Sequence, residues 1–254
     1  MSLVNELLEI SDEDEEIVKS FHSKDSLPDT IFKKSEDKFI MQDDVRKKLL
    51  EISDDFLSSL GVDFFVHDVV LTGSLSNFNW SKYSDVDLHI LMDFEELGDS
   101  KASKEVFKEF FDAKKNVWNA NHKVKIKGFD VEIYVQDIHE PHVSSGVYSI
   151  LNNKWVVEPE KDSPKIDERK ILEKGEEYAK KIDNLIEKGQ KEDVVNQIDD
   201  LKKKIKAFRQ SGLEKGGEYS YENLTFKLLR RNGYIEKLLD FKKTQMDKKL
   251  SLPQ

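Results

Sequence analysis

Leu71-Thr72-Gly73-Ser74 and, ten residues beyond that serine, Ser84-Asp85-Val86-Asp87-Leu88-His89-Ile90-Leu91 set the terms for the rest of this chain. A Gly-Ser pair that opens a turn, followed at this interval by Asp-x-Asp in a β-like apolar run, reads as a phosphate site beside a metal site. Residues 64–72 are apolar and β-branched and lead into Gly73, so they predict a strand ending in a turn. At Gly73 no side chain blocks close approach, backbone N–H groups after it can face an anion, and Ser74 adds a hydroxyl. Residues 85–92 alternate acid or polar (Asp85, Asp87, His89) with apolar (Val86, Leu88, Ile90), the period of a half-buried strand. Two apart on a strand, Asp85 and Asp87 project from one face at roughly 6.5 Å. Such a spacing suits acids that share divalent ions lying about 3.5 to 4 Å apart. Oxygen-only ligands in a chain without cysteine favour Mg²⁺ or Mn²⁺ over zinc.

The flanking segments supply a scaffold. Asp43 or Asp44 starts a helix with Val45, Leu49, Ile52, Phe56 and Leu60 on one face, ended by Gly61. A second helix over 103–119 carries an aromatic stripe to cover a sheet. Residues 123–127 and 129–136 predict two strands joined at Gly128, the second presenting Val131, Ile133 and Val135 on one face and Asp130, Glu132, Tyr134 and Gln136 on the other. A third acid for the site is then Glu132, mid-strand, with Asp130 in reserve. A further hairpin is predicted over 148–157 around Asn152-Asn153. The composition turns to Pro, Glu, Lys, Asp and Ser at 158–167, and beyond it three amphipathic helices are expected over 168–188, 192–209 and 221–250, the last with a kink at Asn232-Gly233. The division expected is an acidic arm with a short helix (1–40), a catalytic domain (41–160) and a helical domain (161–254).

Composition excludes several classes. No run approaches the length of a membrane span, and no basic-apolar leader opens the chain, so neither the membrane nor secretion is indicated and a cytoplasmic protein is expected. Without cysteine there is no disulfide framework and no thiolate chemistry. A net charge of −10 argues against a general nucleic-acid coat. The charge is uneven: residues 1–30 hold nine acids and two bases, while 165–254 hold 22 Lys or Arg against 17 acids. The run at 12–16 reads as a solubilising arm, and Lys202, Lys203, Lys204 and Lys206 as a solvated helix face. His89 is read as a polar residue at the sheet rim, and His139 and His142 as surface histidines.

These residues carry a resemblance. Apolar-Gly-Ser, ten residues, Asp-x-Asp and a later strand acid resemble the DNA polymerase β-like nucleotidyltransferase superfamily, over about residues 64–137. The blocks at 71–93, 131–137, 145–150 and 223–231 look like uncharacterised nucleotidyltransferase-like proteins of tailed phages. The resemblance implies an α+β nucleotidyltransferase fold, a small mixed sheet flanked by helices, with a C-terminal helical domain. It implies an enzyme in which Gly73 and Ser74 hold the β and γ phosphates of an NTP, ATP being the first expectation. Asp85 and Asp87 would ligate two Mg²⁺ (or Mn²⁺) ions, and Glu132 would bind the metal nearest the acceptor. Lys227, Arg230 and Arg231 are candidates to meet the triphosphate. NMP would pass to a hydroxyl acceptor on RNA, protein, a small molecule or a second nucleotide, releasing pyrophosphate. A phage-encoded chain would act in the host cytoplasm. The rival is a non-catalytic nucleotide-binding or regulatory relative acting through a protein partner, and a third reading is a metal-dependent phosphohydrolase.

Overall fold

A computed structural model of the chain describes residues 11–36, 38–98, 100–140, 144–162, 164–189 and 193–252. Residues 1–10, the beginning of the expected arm, and His142 lie outside the described residues. The chain divides into two units, Ser23–Asp162 and Met1–His22 with Ser163–Gln254. The first is α+β and the second, over its described residues, is helical.

The α+β unit opens with a small hairpin, β1 (Phe32–Ser35) and β2 (Lys38–Met41), and the helix α2 (Asp43–Ser59); α1 belongs to the helical unit and is described with it below. Next come β3 (Asp68–Thr72), a 3₁₀ turn (Ser74–Ser76), β4 (Val86–Met92), the one-turn helix α3 (Phe94–Leu97) and the long helix α4 (Lys101–Asn121). The strands β5 (Lys125–Ile126), β6 (Phe129–Asp137), β7 (Val147–Ser149) and β8 (Lys154–Val157) complete it. Strand order in the main sheet is β5-β6-β4-β3-β7-β8, with β4 and β6 parallel and the other pairs antiparallel. The β5–β6 turn works because Lys127 and Gly128 both take positive φ, 51° and 94°, the hand that matches strand twist. The regular part of the first predicted strand is shorter than expected. Only residues 68–72 join the ladder, although the His67 N–H still bonds the Leu91 carbonyl at 2.9 Å.

One face of this sheet is core. Val69 and Leu71 of β3, Val86, Leu88 and Ile90 of β4, and Val131 and Ile133 of β6 pack with Leu49, Ile52 and Phe56 of α2 and Phe111 and Trp118 of α4. The helical stripe predicted from Val45 to Leu60 is buried at every position. Trp118 meets Phe56 edge-on at 6.3 Å and donates its indole N–H to Asp55 Oδ2 at 3.0 Å, so the two covering helices are tied to each other. Asp87 and His89 of β4, and Glu132, Tyr134 and Gln136 of β6, alternate with these core positions and so lie on the opposite face.

The helical unit contains α1 (Asp12–Lys19), α5 (Glu168–Lys188), α6 (Val195–Gly216), α7 (Tyr221–Arg231) and α8 (Tyr234–Leu250). The acidic run is therefore not a loose arm. Ser11 and Asp14 form a capping box, the acids of the first turn sit at the positive helix end, and Ile17 and Val18 are fully buried. Asn232 donates to Asp14, and Arg231 donates to Ser20 Oγ at 2.8 Å while covering the Phe21 ring at 4.8 Å. Residues 23–40, also expected in the arm, are part of the α+β unit, with Leu27, Ile31 and Phe32 in its core. The expected 221–250 helix is two helices rather than one kinked helix, because Gly233 adopts φ +73° in the left-handed region. Close approach of α5 to α7 depends on Gly175, where a Cβ would stand 2.7 Å from Leu228 Cδ2. Among the described residues no helix is long and apolar enough to cross a membrane.

Candidate active site

The candidate site is assembled where β3 turns into the 3₁₀ segment and β4 begins. Antiparallel pairing sets Thr72 opposite Asp87, and Gly73 follows at once with φ +74°. A Cβ added to Gly73 would lie 1.8 Å from Asp87 Oδ2 and 2.8 Å from its Cγ. The Asp87 carboxylate thus rests directly on the Gly73 Cα, and the glycine is required both by its backbone angle and by the space that the carboxylate fills. Asp85 precedes β4 instead of opening it, since the regular strand starts at Val86.

Parallel pairing of β4 and β6 then places Glu132 opposite Asp87. Asp130, two residues before Glu132 in the same strand, is exposed and pairs with Lys125 at 2.9 Å. Tyr134 donates its hydroxyl to Glu132 Oε2 at 2.5 Å. Burial raises the Tyr134 phenol well above its ordinary range, and the hydrogen bond to Glu132 with the charges of Glu132, Asp87 and Asp85 raises it further. The phenol is consequently a permanent donor, and it holds one oxygen of Glu132. On the same face His89 stacks on Tyr134 at 4.9 Å and bonds Gln136 Oε1 through Nδ1 at 2.8 Å, while Lys115 Nζ lies over the Tyr134 ring, 4.6 Å from its centroid. His89 is more integrated than a rim residue, and it buttresses Tyr134.

The turn after Gly73 is braced from two directions. Ser74 Oγ donates to Ser84 Oγ at 2.7 Å, linking the Gly-Ser turn to the residue just before Asp85. The Ser81 N–H also bonds Ser84 Oγ, at 2.9 Å. From the other side, Ser76 Oγ donates to the carbonyls of Gly73 and Gly146 at 3.0 and 2.8 Å, Asn77 Nδ2 donates to the Gly73 carbonyl at 2.9 Å, and the Gly73 N–H reaches Ser144 Oγ at 3.3 Å. Gly146 has no room for a side chain here, its Cβ position lying 2.1 Å from the Ser76 carbonyl oxygen. Ser76, Asn77, Ser84, Tyr134 and Ser144 were not among the expected site residues. Ser76 and Asn77 are polar in sequence, but beside their local bond to the Gly73 carbonyl each has a partner about 70 residues away, at Gly146 and Ser144–Ser145.

Lys227, Arg230 and Arg231 belong to α7 of the helical unit. Lys227 pairs with Glu218 at 2.7 Å, and Arg231 is engaged with Ser20 and Phe21 as described.

Asp85, Asp87 and Glu132 offer hard oxygen donors and no sulfur, a set that fits Mg²⁺ or Mn²⁺. Comparison with known proteins gives little more. No family model matches the chain, and no curated protein matches it. Among solved structures, the STING-associated CdnE c-di-GMP synthase from Capnocytophaga granulosa aligns over 82% of this chain and 84% of that chain at 14% sequence identity, with a TM-score of 0.23. A superposition score this low assigns neither a fold family nor an activity.

Proposed function

We propose that this protein is a metal-dependent nucleotidyltransferase that moves NMP from an NTP, ATP first among them, to a hydroxyl acceptor and releases pyrophosphate. The observation that carries the reading is the contact of the Asp87 carboxylate with the Gly73 Cα, beside Glu132 on the neighbouring parallel strand. A glycine turn that leaves no room for a side chain, next to two carboxylates at paired positions of neighbouring strands, suits a triphosphate brought in with divalent metal.

In this proposal Asp85, Asp87 and Glu132 hold Mg²⁺, which supplies neutralisation of the triphosphate charge and a lowered acceptor hydroxyl pKa when bound. The chain's own groups do the positioning. The backbone at Gly73 and the Ser74 hydroxyl receive terminal phosphate oxygens, Ser74 exchanging its bond to Ser84 for one to the ligand. Glu132 accepts the acceptor's proton with one oxygen while Tyr134 fixes the other. The acceptor oxygen attacks the α-phosphorus in line and pyrophosphate departs from the opposite side, a reaction dominated by orientation and charge. Lys227, Arg230 and Arg231 are the proposed cationic contacts for the triphosphate, and Arg231 would exchange its bond to Ser20 for one to the ligand. Lys227 gives up only a partly exposed ion pair, a small cost.

The test is incubation with Mg²⁺, each α-labelled NTP, and cell extract or defined acceptors (RNA 3′ ends, protein, small alcohols, a second nucleotide), reading pyrophosphate and labelled product. Wild type should form both, and Asp87→Asn should lose activity by about 10²-fold or more. NTP binding without transfer would identify a non-catalytic relative, and release of phosphate or NMP without a labelled acceptor would identify a hydrolase; either overturns the proposal.

A further inference from the structure

A groove with a volume of about 490 Å³ runs between α6, α7 and α8 within the helical unit. Its lining differs from one helix to the next. On α6, Lys202, Lys206 and Arg209 stand at i, i+4 and i+7 with Lys203 beside them, a rank of cations about 10 Å long on one helix face. The α8 side is aliphatic: Ile235 is half-buried, Leu238 is buried, and Leu239 is 42% exposed. The lysine run that reads in sequence as a solvated helix face thus borders an apolar surface.

The cations have no carboxylate of their own. Among the described residues none of Lys202, Lys203, Lys206 and Arg209 forms an ion pair, and Asp199, the acid that lines the groove with them, is held by Lys242 at 2.6 Å. Cations ranked along one helix face repel one another, and an aliphatic wall left in water carries a hydration cost. A ligand that is apolar on one side and anionic on the other offsets both. The lining argues against a nucleobase as the apolar part. Its aromatic ring, Phe226 of α7, packs against the helical core and is covered by the Arg209 guanidinium at 4.4 Å, so it provides no platform for stacking. Arg209 is fixed there by its Nε–H, which donates to Asn223 Oδ1 at 3.1 Å. A compact anionic head group would engage one or two of the cations, whereas a rank through two helical turns matches the repeat of a helix laid alongside.

We propose that the groove between α6, α7 and α8 docks an acidic amphipathic helix of a protein partner. Its aliphatic anchors at i, i+3 or i+4, and i+7 lie against Ile235 and Leu239, and its Asp or Glu flank follows Lys202, Lys206 and Arg209. The charged rank steers the encounter and sets the register, and the aliphatic wall holds the complex. The docked helix completes a bundle of four with α6, α7 and α8. This site is independent of nucleotidyl transfer, because it uses none of the residues proposed to meet metal or NTP.

The experiment is fluorescence anisotropy of the full chain with a fluorescein-labelled synthetic peptide of about four helical turns, carrying leucine at the anchor positions and glutamate along one flank. The same peptide with lysine in place of glutamate and a labelled single-stranded oligouridylate are the comparison probes. Wild type should bind the glutamate peptide saturably, more weakly as salt is raised, and should not bind the lysine peptide. Lys206→Glu and Leu239→Glu, both at exposed positions, should each weaken binding at least about tenfold. Lys215→Glu makes the same change of charge on α6 outside the groove and should bind as wild type does. Circular dichroism of each variant checks that the helical unit is folded. Absence of saturable binding by wild type, equal affinity for the two peptides, affinity unchanged in Leu239→Glu, or equal losses in Lys206→Glu and Lys215→Glu would each overturn the proposal. Tighter binding of the oligouridylate, lost in Lys206→Glu, would overturn it in favour of a nucleic-acid surface.

Discussion

Gly73 is the position where backbone conformation and site chemistry meet. Alanine there must adopt a left-handed backbone angle and at the same time push Asp87 away by more than an ångström. The backbone strain alone costs about 1 kcal/mol or somewhat more, so Gly73→Ala should lower stability modestly in urea titration. Displacing Asp87 should cut transfer activity far more than that loss of stability explains. Equal small effects on both would show that Asp87 tolerates the shift and does not act as the site requires. Tyr134 gives a test in pH. Its phenol is held above the ordinary tyrosine range by burial first and by Glu132, Asp87 and Asp85 after that. A group whose folded pKa is raised stabilises the fold fully below its unfolded pKa, about 10, and that contribution fades as pH climbs above it. The protein should therefore lose stability above about pH 10 in a step that Tyr134→Phe diminishes, Tyr148 and Tyr234 being raised by burial as well. Ultraviolet titration of Tyr134→Phe should show one fewer late-ionising tyrosine than wild type, and an unchanged count would contradict the assignment.

The strand β6 shows how an element is held in register for its one functional residue. On one side it pairs with β4 from Val131 to Asp137, but β5 covers the other side only opposite Phe129 and Asp130. At Ile133 a helix side chain stands in for the missing strand: Asn119 Oδ1 accepts the Ile133 N–H at 3.1 Å and Asn119 Nδ2 donates to the Ile133 carbonyl at 3.3 Å. Glu132 is the preceding residue. Asn119→Ala strands both backbone groups and should destabilise the protein by about 1–3 kcal/mol, with an accompanying fall in kcat as Glu132 loses its fixed position. An Asn119→Ala variant as stable as wild type would mean that water replaces the clamp at no cost. Nothing in the sequence announces this device, because an asparagine near the end of an amphipathic helix reads as a solvent-facing residue. The strands themselves were legible. Alternation separated Val86, Leu88 and Ile90 from Asp87 and His89, and Val131, Ile133 and Val135 from Glu132 and Tyr134, because period 2 is a local property. Cross-strand register is not local, so the pairing of Asp87 with Glu132 and the brace from Ser144 had no signature in any one segment. The run at 12–16 misled for a related reason. Its charge hid Ile17, Val18 and Phe21, whose burial depends on helices more than 140 residues further along the chain.

Among the described residues each unit has a main core of its own kind. In the α+β unit the buried set runs from Leu27 to Ile150, while Tyr178, Ile182, Ile198, Leu201, Ile205, Leu229 and Leu238 form a separate buried set in the helical unit. Core deletions should accordingly report locally. Ile133→Ala and Ile182→Ala each remove a fully buried side chain and should each cost about 2–5 kcal/mol. Hydrogen exchange of the Ile182 variant should quicken in α5 to α8 and leave β3, β4 and β6 near their wild-type protection, and the Ile133 variant should show the reverse. A ligand that binds only the α+β unit stabilises only states in which that unit is folded, by about 2.7 kcal/mol at a hundred times its Kd. Addition of Mg²⁺ and ATP should therefore restore protection in β3, β4 and β6 of the Ile133 variant, and chelation should remove it. The same addition separates two versions of the proposed chemistry. If protection rises also in α7 around Lys227 and Arg230, those cations meet the triphosphate; if α7 is unchanged while β3 and β4 respond, the phosphates are held by the Gly73 turn and metal alone, and the helical unit serves the acceptor or neither substrate.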